Sequence, residues 1–381
     1  MKLLAVLSVS LTIGAFMPPA KELPRFLEHT IATDLKGGYQ VVAADLNRDG
    51  RPDLIALASD MPELVWFENP GWQRHVIAGN LSRMINLVVL ESAGQPIIVL
   101  ASGFSNEAKN SPGIVSLLEP AGDARQPWKA REIDRLPTTH RLRLADIDGS
   151  GNKIVINAPL TASDASGPDY RGHPPLVYYK PGEWKRILIG AENEGVMHGI
   201  YVVDWDGDGR DEILTASFVG IHLYKHLLDG RWMRTEIAKG NTAPWPKCGA
   251  SDIAVGHLGN HRFLCSIEPW HGNQIAVYQE ANGSWSRQIV DDSFIDGHAL
   301  YTADLNGDGR DEIIAGYRGK GGSVYIYSAD DALGLNWTRH DLDKGGISVA
   351  SCAVADLNGD GRPDIACIGS ATANLKWYEN R

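Results

Sequence analysis

The sequence predicts an all-β fold, a seven-bladed β-propeller whose last blade is completed by a strand from the N-terminus. Three observations predict it. An acidic turn recurs along the chain, each copy separates two short apolar stretches, and the C-terminus stops one strand short of a full unit while the N-terminus holds a strand to spare. The turn reads Asp45-Leu-Asn47-Arg-Asp49-Gly-Arg-Pro-Asp53. It returns as Asp204-Trp-Asp206-Gly-Asp208-Gly-Arg-Asp-Glu212, as Asp304-Leu-Asn306-Gly-Asp308-Gly-Arg-Asp-Glu312 and as Asp356-Leu-Asn358-Gly-Asp360-Gly-Arg-Pro-Asp364. A damaged copy runs Asp146-Ile-Asp148-Gly-Ser150.

From the N-terminus, Lys2, the apolar run Leu3 to Phe16 and then Met17-Pro-Pro-Ala20 have the order of a secretory signal. Residues 1–20 are expected to be removed near Ala20, leaving residues 21–381 as a single domain that is secreted or periplasmic. Arg25-Phe26-Leu-Glu-His-Thr-Ile31 has the aromatic-then-apolar pattern of an outermost strand. In blade one, Gln40-Val-Val-Ala-Ala44 and Leu54-Ile-Ala-Leu-Ala58 flank the acidic turn as first and second strands. Third strands read Leu64-Val-Trp-Phe67, Leu176-Val-Tyr-Tyr179, Ile221-His-Leu-Tyr224, Ile275-Ala-Val-Tyr278 and Val324-Tyr-Ile-Tyr327. Fourth strands open on Trp72, Trp128, Trp184, Trp232, Trp285 and Trp337. Blade two, around 81–134, and blade five, around 248–290, lack the acidic turn and are placed by spacing, which alone also admits six or eight blades. The last unit ends at its third strand, Leu375-Lys-Trp-Tyr-Glu-Asn-Arg381, so the N-terminal strand is what ring closure requires. Closure removes exposed sheet edges.

Composition narrows the function. With 43% hydrophobic residues and 41 glycines in 381 residues, the chain can bury a core and has many turns rather than long helices. A formal charge of −11 with no Lys/Arg run excludes phosphate tracking, so no nucleic-acid partner is expected, nor docking on anionic lipid. Beyond the leader no 18-residue apolar stretch occurs, so no membrane span is expected. A monomer is expected. The four cysteines are too few for a disulfide-built scaffold, although Cys352 and Cys367 lie nearly equidistant from the turn at Asp360 and could face one another across a hairpin.

Oxygen ligands at turn positions one, three, five and nine, with Gly at six, match the way a short loop wraps Ca²⁺. The expected metal ligands are Asp45, Asn47, Asp49 and Asp53; Asp204, Asp206, Asp208 and Glu212; Asp304, Asn306, Asp308 and Glu312; and Asp356, Asn358, Asp360 and Asp364. Several structural Ca²⁺ ions, each stapling a hairpin end, are expected. Trp72, Trp184, Trp232, Trp285 and Trp337 share one register and read as inter-blade packing rather than sugar platforms; Trp66 and Trp377 read as core. Trp245 and Trp270 are left over.

In a four-stranded antiparallel blade the acidic turns occupy one face of the disc, and the second-to-third and blade-to-blade connections occupy the other. On that second face, six residues before the first Asp of each turn, stand Tyr39, His140, His198 and His298. Equivalent positions around a closed ring converge on one pocket. Unusual loops reach the same face: residues 158–175 with Asp164, Asp169, Tyr170, Arg171 and His173, then Glu268-Pro-Trp270-His271-Gly-Asn273, Tyr317-Arg318-Gly-Lys320 and Asn106-Glu-Ala-Lys109. The expected catalytic set is His140, His198, His298, His271, Tyr170, Arg171 and Arg318. Tyr39, Trp245, Trp270, Asn273, His173 and Tyr317 are the expected substrate contacts.

Two chemistries suit such a pocket. Neutral imidazoles can ligate a divalent cation, with an open position as in a catalytic site. Alternatively, one His or Tyr170 abstracts the proton α to a uronate carboxylate, Arg171 or Arg318 neutralises that carboxylate, and a second His protonates the leaving oxygen. The two are compatible.

The acidic turns resemble those of FG-GAP/VCBS repeat proteins, a group of adhesion modules, lectin-like domains and enzymes. Thr139-His-Arg-Leu-Arg-Leu-Ala-Asp146, Asn157-Ala-Pro159, Val196-Met-His-Gly-Ile200, Ile267-Glu-Pro-Trp-His-Gly-Asn273 and Asp296-Gly-His298 are similar to segments in the propeller of aldos-2-ulose dehydratases. They are similar also to propeller lyases that cleave L-rhamnose-α-1,4-D-glucuronate linkages. Both groups perform eliminations on sugars; the chain ends at blade seven, so the isomerising activity associated with the dehydratases' cupin domains is not implied. The resemblance implies an exported carbohydrate lyase acting by β-elimination on a glucuronate-containing glycan. The alternatives are a non-catalytic glycan- or protein-binding propeller, and a glycoside hydrolase using Asp169, Asp296 or Glu268 as paired carboxylates.

Overall fold

The computed structural model describes residues 21–92, 94–281 and 283–381; the expected export signal, residues 1–20, lies outside them. Seven four-stranded antiparallel sheets follow one another around an axis. Their inner strands are Gly38–Ala44, Asn86–Ser92, Thr139–Ala145, Met197–Val203, Asp252–Leu258, Gly297–Ala303 and Val349–Ala355. The seven-bladed expectation holds, with blades two and five where spacing put them. Phe26–Ala32 pairs antiparallel with Leu375–Asn380, Phe26 opposite Asn380, and so supplies the outermost strand of blade seven.

Burial explains the strand patterns. Second strands such as Asp53–Ala58, Glu212–Ser217 and Glu312–Tyr317 are buried at every position. Both their faces are covered by neighbouring blades, so they read as apolar runs rather than alternating ones. Outermost strands such as Ser284–Asp291 are mostly exposed. The core is accordingly a ring of inter-blade layers; one joins Leu64 and Trp66 of blade one to Leu87, Ile98 and Leu118 of blade two. The repeated tryptophans fill these layers as expected: Trp72 meets Trp377 across the closing seam with ring centroids 5.7 Å apart, Trp285 meets Trp205 at 5.8 Å, and Trp337 meets Phe263 at 5.2 Å.

Polar rivets cross the same layers. The Tyr179 hydroxyl donates to Asp134 Oδ2 at 2.7 Å, and Arg186 Nε donates to the same oxygen at 2.7 Å. Tyr327 repeats this on Asp291, beside Arg339, and Tyr378 on Asp343, beside Lys376. Each tyrosine stands on a third strand and its acid at the end of the preceding blade's fourth strand, so the charge-assisted bond, worth about 1.5–3 kcal/mol, holds two blades together. Cys352 and Cys367 are register partners in blade seven and are joined by a disulfide; Cys248 and Cys265 are free thiols. Among the described residues no helix is long and apolar enough to cross a membrane.

Candidate functional site

The inner strands of blades one, three, four, six and seven enter the ring through the same irregularity. Pairing with the second strand slips between Gly38 and Gln40, Thr139 and Arg141, Met197 and Gly199, Gly297 and Ala299, and Val349 and Ser351. The extra residue at each bulge is Tyr39, His140, His198, His298 or Ala350. A β-bulge re-aims the side chain of the residue it inserts. Here it gathers the shared register at the axis: ring centroids lie 4.9 Å apart for His140 and His198, 5.2 Å for His198 and His298, and 5.2 Å for Tyr39 and His298. Blades two and five pair without this slip. Blade five instead contributes His271 from the loop after its second strand, with centroids 4.8 Å from His198 and 5.2 Å from His298. Its backbone is left-handed, at φ 48°, as is that of Tyr170 at 47° and Asp296 at 61°. Non-glycine residues held there carry strain that tends to collect at functional sites.

Hydrogen bonds set the tautomers. His198 Nδ1 lies 3.1 Å from Ser251 O and His298 Nδ1 lies 2.6 Å from Ala350 O. A carbonyl only accepts, so both neutral rings carry their proton on Nδ1 and present a lone pair at Nε2. Gly199 permits the first of these bonds, because a Cβ there would stand 2.8 Å from Ser251 O. His271 Nε2 lies 3.2 Å from His198 Nε2 and therefore donates to it, while its Nδ1 accepts from Arg318 Nη2 at 3.2 Å. Asp296 Oδ1 stands 3.3 Å from the same Nδ1, so His271 has a partner in either tautomer. Tyr39 Oη is 2.9 Å from His140 Nε2. Five buried polar atoms converge here without a partner among the described residues: His140 Nδ1, His298 Nε2, Arg141 Nε, Arg318 Nε and Trp270 Nε1.

Burial, and after it the charge of Arg141 on His140 and His198 and of Arg318 on His271 and His298, holds all four imidazoles well below their usual 6.5. They are neutral at neutral pH. The arginines give the site its positive potential, and Asp296 ties Arg318 in place at 3.1 Å. A cavity of about 500 Å³ opens above them, lined by Tyr39, His140, His198, Trp270, His271 and Arg318 and walled by inter-blade and second-to-third-strand connections. A second cavity of about 630 Å³ occupies the other end of the axis, near Arg143, Asp252, Tyr201 and Tyr301.

The structure thus brings together Tyr39, His140, His198, His271, His298, Trp270 and Arg318. Tyr170 stands at the rim, edge-on to Trp270 at 5.4 Å, and burial raises its phenol. Five expected residues lie elsewhere, four of them at loops and one in an inter-blade layer. Arg171 is exposed, stacked on Trp245 at 3.8 Å and paired with Glu194 at 2.8 Å. Trp245 donates to Asp169 O at 2.8 Å, so the two residues clamp the long loop of blade three. His173 is exposed against Asn193 O, and Asn273 is exposed with its amide on Asp292 O. Tyr317 is buried between blades, against Phe294 at 5.2 Å. The hydrolase reading loses its pair of acids: Glu268 is fully buried, bound by Ser266, Tyr278 and Arg287, and Asp169 is exposed at the loop.

Regular strand alternation would turn Arg141 away from its neighbour His140. The bulge changes that, and its Nη2 reaches within 3.4 Å of His198 Nε2. Arginines two apart in Thr139-His-Arg-Leu-Arg, on an inner strand, were the available signal.

Comparison with known proteins agrees with this architecture. Residues 112–281 match the aldos-2-ulose dehydratase β-propeller domain, a span that holds His140, His198 and His271, and residues 304–367 match the FG-GAP-like repeat. Aldos-2-ulose dehydratase of Phanerodontia chrysosporium is 27% identical over 295 residues, covering 67% of this chain and 32% of that protein. Integrin alpha pat-2 of Caenorhabditis briggsae is 27% identical over 259 residues, covering 63% of this chain and 18% of that one. The chain therefore spans a third or less of the length of these relatives. The crystal structure of BBS1N in complex with ARL6DN overlays with a TM-score of 0.57 at 13% identity, covering 94% of this chain and 96% of that one, a likeness of fold alone. The expected resemblance to the dehydratase propeller and to FG-GAP repeats is borne out.

Proposed function

We propose that this propeller is an exported carbohydrate lyase that cleaves a glucuronate-containing glycan, of the rhamnose–glucuronate type, by β-elimination. One observation carries the reading: the neutral imidazoles of His140, His198 and His271 line one cavity with Arg318, His140 Nδ1 has no partner among the described residues, and Arg141 Nη2 stands 3.4 Å from His198 Nε2. Elimination breaks the C–H bond α to the uronate carboxylate and the C–O bond β to it, and forms a C=C bond between those carbons. It needs a proton acceptor, a proton donor and a partner for the carboxylate.

The residues divide these tasks. Arg318, at the cavity wall, receives the carboxylate. Tyr39 and His140, 2.9 Å apart, form the proton-transfer pair: the imidazole takes the proton from carbon, and the phenol gives its own to the leaving oxygen. Trp270 supplies an apolar face for a sugar ring. His198, His271 and His298 have donor atoms within 4.8 Å of one another and fit a divalent cation. Their Nδ1 atoms face Ser251 O, Asp296 and Ala350 O, the kind of second contact that orients histidine ligands. When bound, such an ion supplies Lewis acidity to a substrate oxygen. The similarity to a dehydratase supports elimination chemistry in general. The protein, with divalent metal added, should produce the ultraviolet absorbance of an unsaturated uronate from glucuronate-containing glycans. Silence across a broad panel with folded protein would refute the lyase reading.

We further propose that the turns at 45–53, 304–312 and 356–364 hold structural Ca²⁺. Their position-nine carboxylates Asp53, Glu312 and Asp364 are buried, bind the Leu46, Leu305 and Leu357 amides, and have no Lys or Arg partner among the described residues. Buried acids of this kind call for a cation.

A further inference from the structure

We infer that the acidic turn of blade four carries its own cation and takes no metal, so that the four acidic turns are of two kinds. The inference rests on the calcium reading of the other three. Lys225 lies on the third strand of that blade, Gly220–His226, directly after Tyr224. Its ammonium contacts Asp206 and stands 3.0 Å from Asp208 and 3.2 Å from Glu212. The Lys225 side chain is 18% exposed and that of Glu212 2%, so this end of the contact is shielded, whereas Asp208 at 29% and Asp206 at 47% stay open to water. Three ammonium donors meet three carboxylates at turn positions three, five and nine, three of the four positions a metal ion would use; Asp204, at position one, clusters with Asp206 and Asp208 but is not among the lysine's partners.

The other turns lack this residue. The position after the corresponding third-strand aromatic is Glu68 in blade one, Ser328 in blade six and Glu379 in blade seven. Glu68 Oε1 accepts from Asn47 Nδ2 at 3.0 Å, so this position faces the turn in blade one as it does in blade four. Position three also differs: blade four has Asp206 where the others have Asn47, Asn306 and Asn358. The extra acid and the lysine occur together in one blade, and their charges cancel. A divalent ion entering there must expel an ammonium already bonded to the same oxygens, and a displaced, partly buried cation is costly.

Calcium titration of the chelator-stripped mature chain by calorimetry tests this. Wild type should bind three ions, and Lys225→Met one more than wild type, whereas Lys225→Arg should keep the wild-type number. The difference between Lys225→Met and wild type reads the inference, and the wild-type number reads the calcium assignment. Equal numbers for the two proteins, or four ions in wild type, would overturn the inference. If wild type binds none and Lys225→Met binds one, the inference stands and the calcium assignment falls. Should Lys225→Met fail to fold, as judged by its far-ultraviolet spectrum, Lys225→Gln, which keeps most of the stem, replaces it.

Discussion

His271 Nε2 lies 3.2 Å from His198 Nε2, although 73 positions separate the two residues. One comes from a bulge at the start of an inner strand and the other from a loop in the next blade. Ser251 joins them, its carbonyl accepting from His198 Nδ1 and its hydroxyl accepting from the His271 backbone amide at 3.2 Å. His198 is thus held by a residue of the next blade, and His271 by one of its own.

The Tyr39–His140 pair should carry proton transfer. His140→Phe, which keeps an aromatic ring, is expected to lower kcat by roughly 10²–10⁴-fold with little change in KM. Tyr39→Phe should lower it in the same direction. Steady-state production of unsaturated uronate checks both, and a rise in KM at constant kcat would assign the pair to binding alone.

Asp296 should act through His271. Asp296→Asn removes the carboxylate facing Nδ1 and should weaken divalent-metal binding by about 10–100-fold. Competition against a coloured chelator measures this directly. An unchanged affinity would mean that Asp296 does not orient the ring.

The rivet at Asp134 should make the fold acid-sensitive. Burial alone would raise this carboxyl, but hydrogen bonds from Arg186 and Tyr179 hold it below its usual 3.8. A carboxyl depressed in the folded state stabilises it above the unfolded value, and that contribution is lost as pH falls through the folded value. The wild-type urea midpoint should therefore drop as pH is lowered below about 4. Asp134→Asn should be about 1–2 kcal/mol less stable at neutral pH, the half-exposed Arg186 limiting the effect, and should lose less on acidification. Parallel pH profiles for the two proteins would refute this.

Calcium should raise the melting temperature of chelator-treated protein. At one hundred times its Kd, each ion adds about 2.7 kcal/mol to stability. Asp356→Ala, at the first position of the blade-seven turn, should reduce the gain, and identical calorimetric traces with and without calcium would remove the proposed staples.

Much of the molecule was legible from residue order. The acidic turns, their flanking strands, the spare N-terminal strand and the shared register of Tyr39, His140, His198 and His298 are local patterns, because turn chemistry and strand alternation are set by near neighbours in the chain. Ring closure then follows from the missing strand, and closure places that register on the axis. The bulges were not legible: a one-residue slip leaves the composition of a strand unchanged, yet it aims the imidazoles inward and brings Arg141 beside them.

Loop residues were decided by packing alone. His271 reaches the axis because blade five holds its loop against Ser251. Arg171 and Trp245 instead find each other across two loops, and Tyr317 turns into an inter-blade layer beside Phe294. The chain by itself determined which residues share a blade position, since periodicity is a property of the backbone. Tertiary structure decided which long side chains enter the cavity, since each takes whichever non-local partner best satisfies its charge, hydrogen bonds and apolar surface.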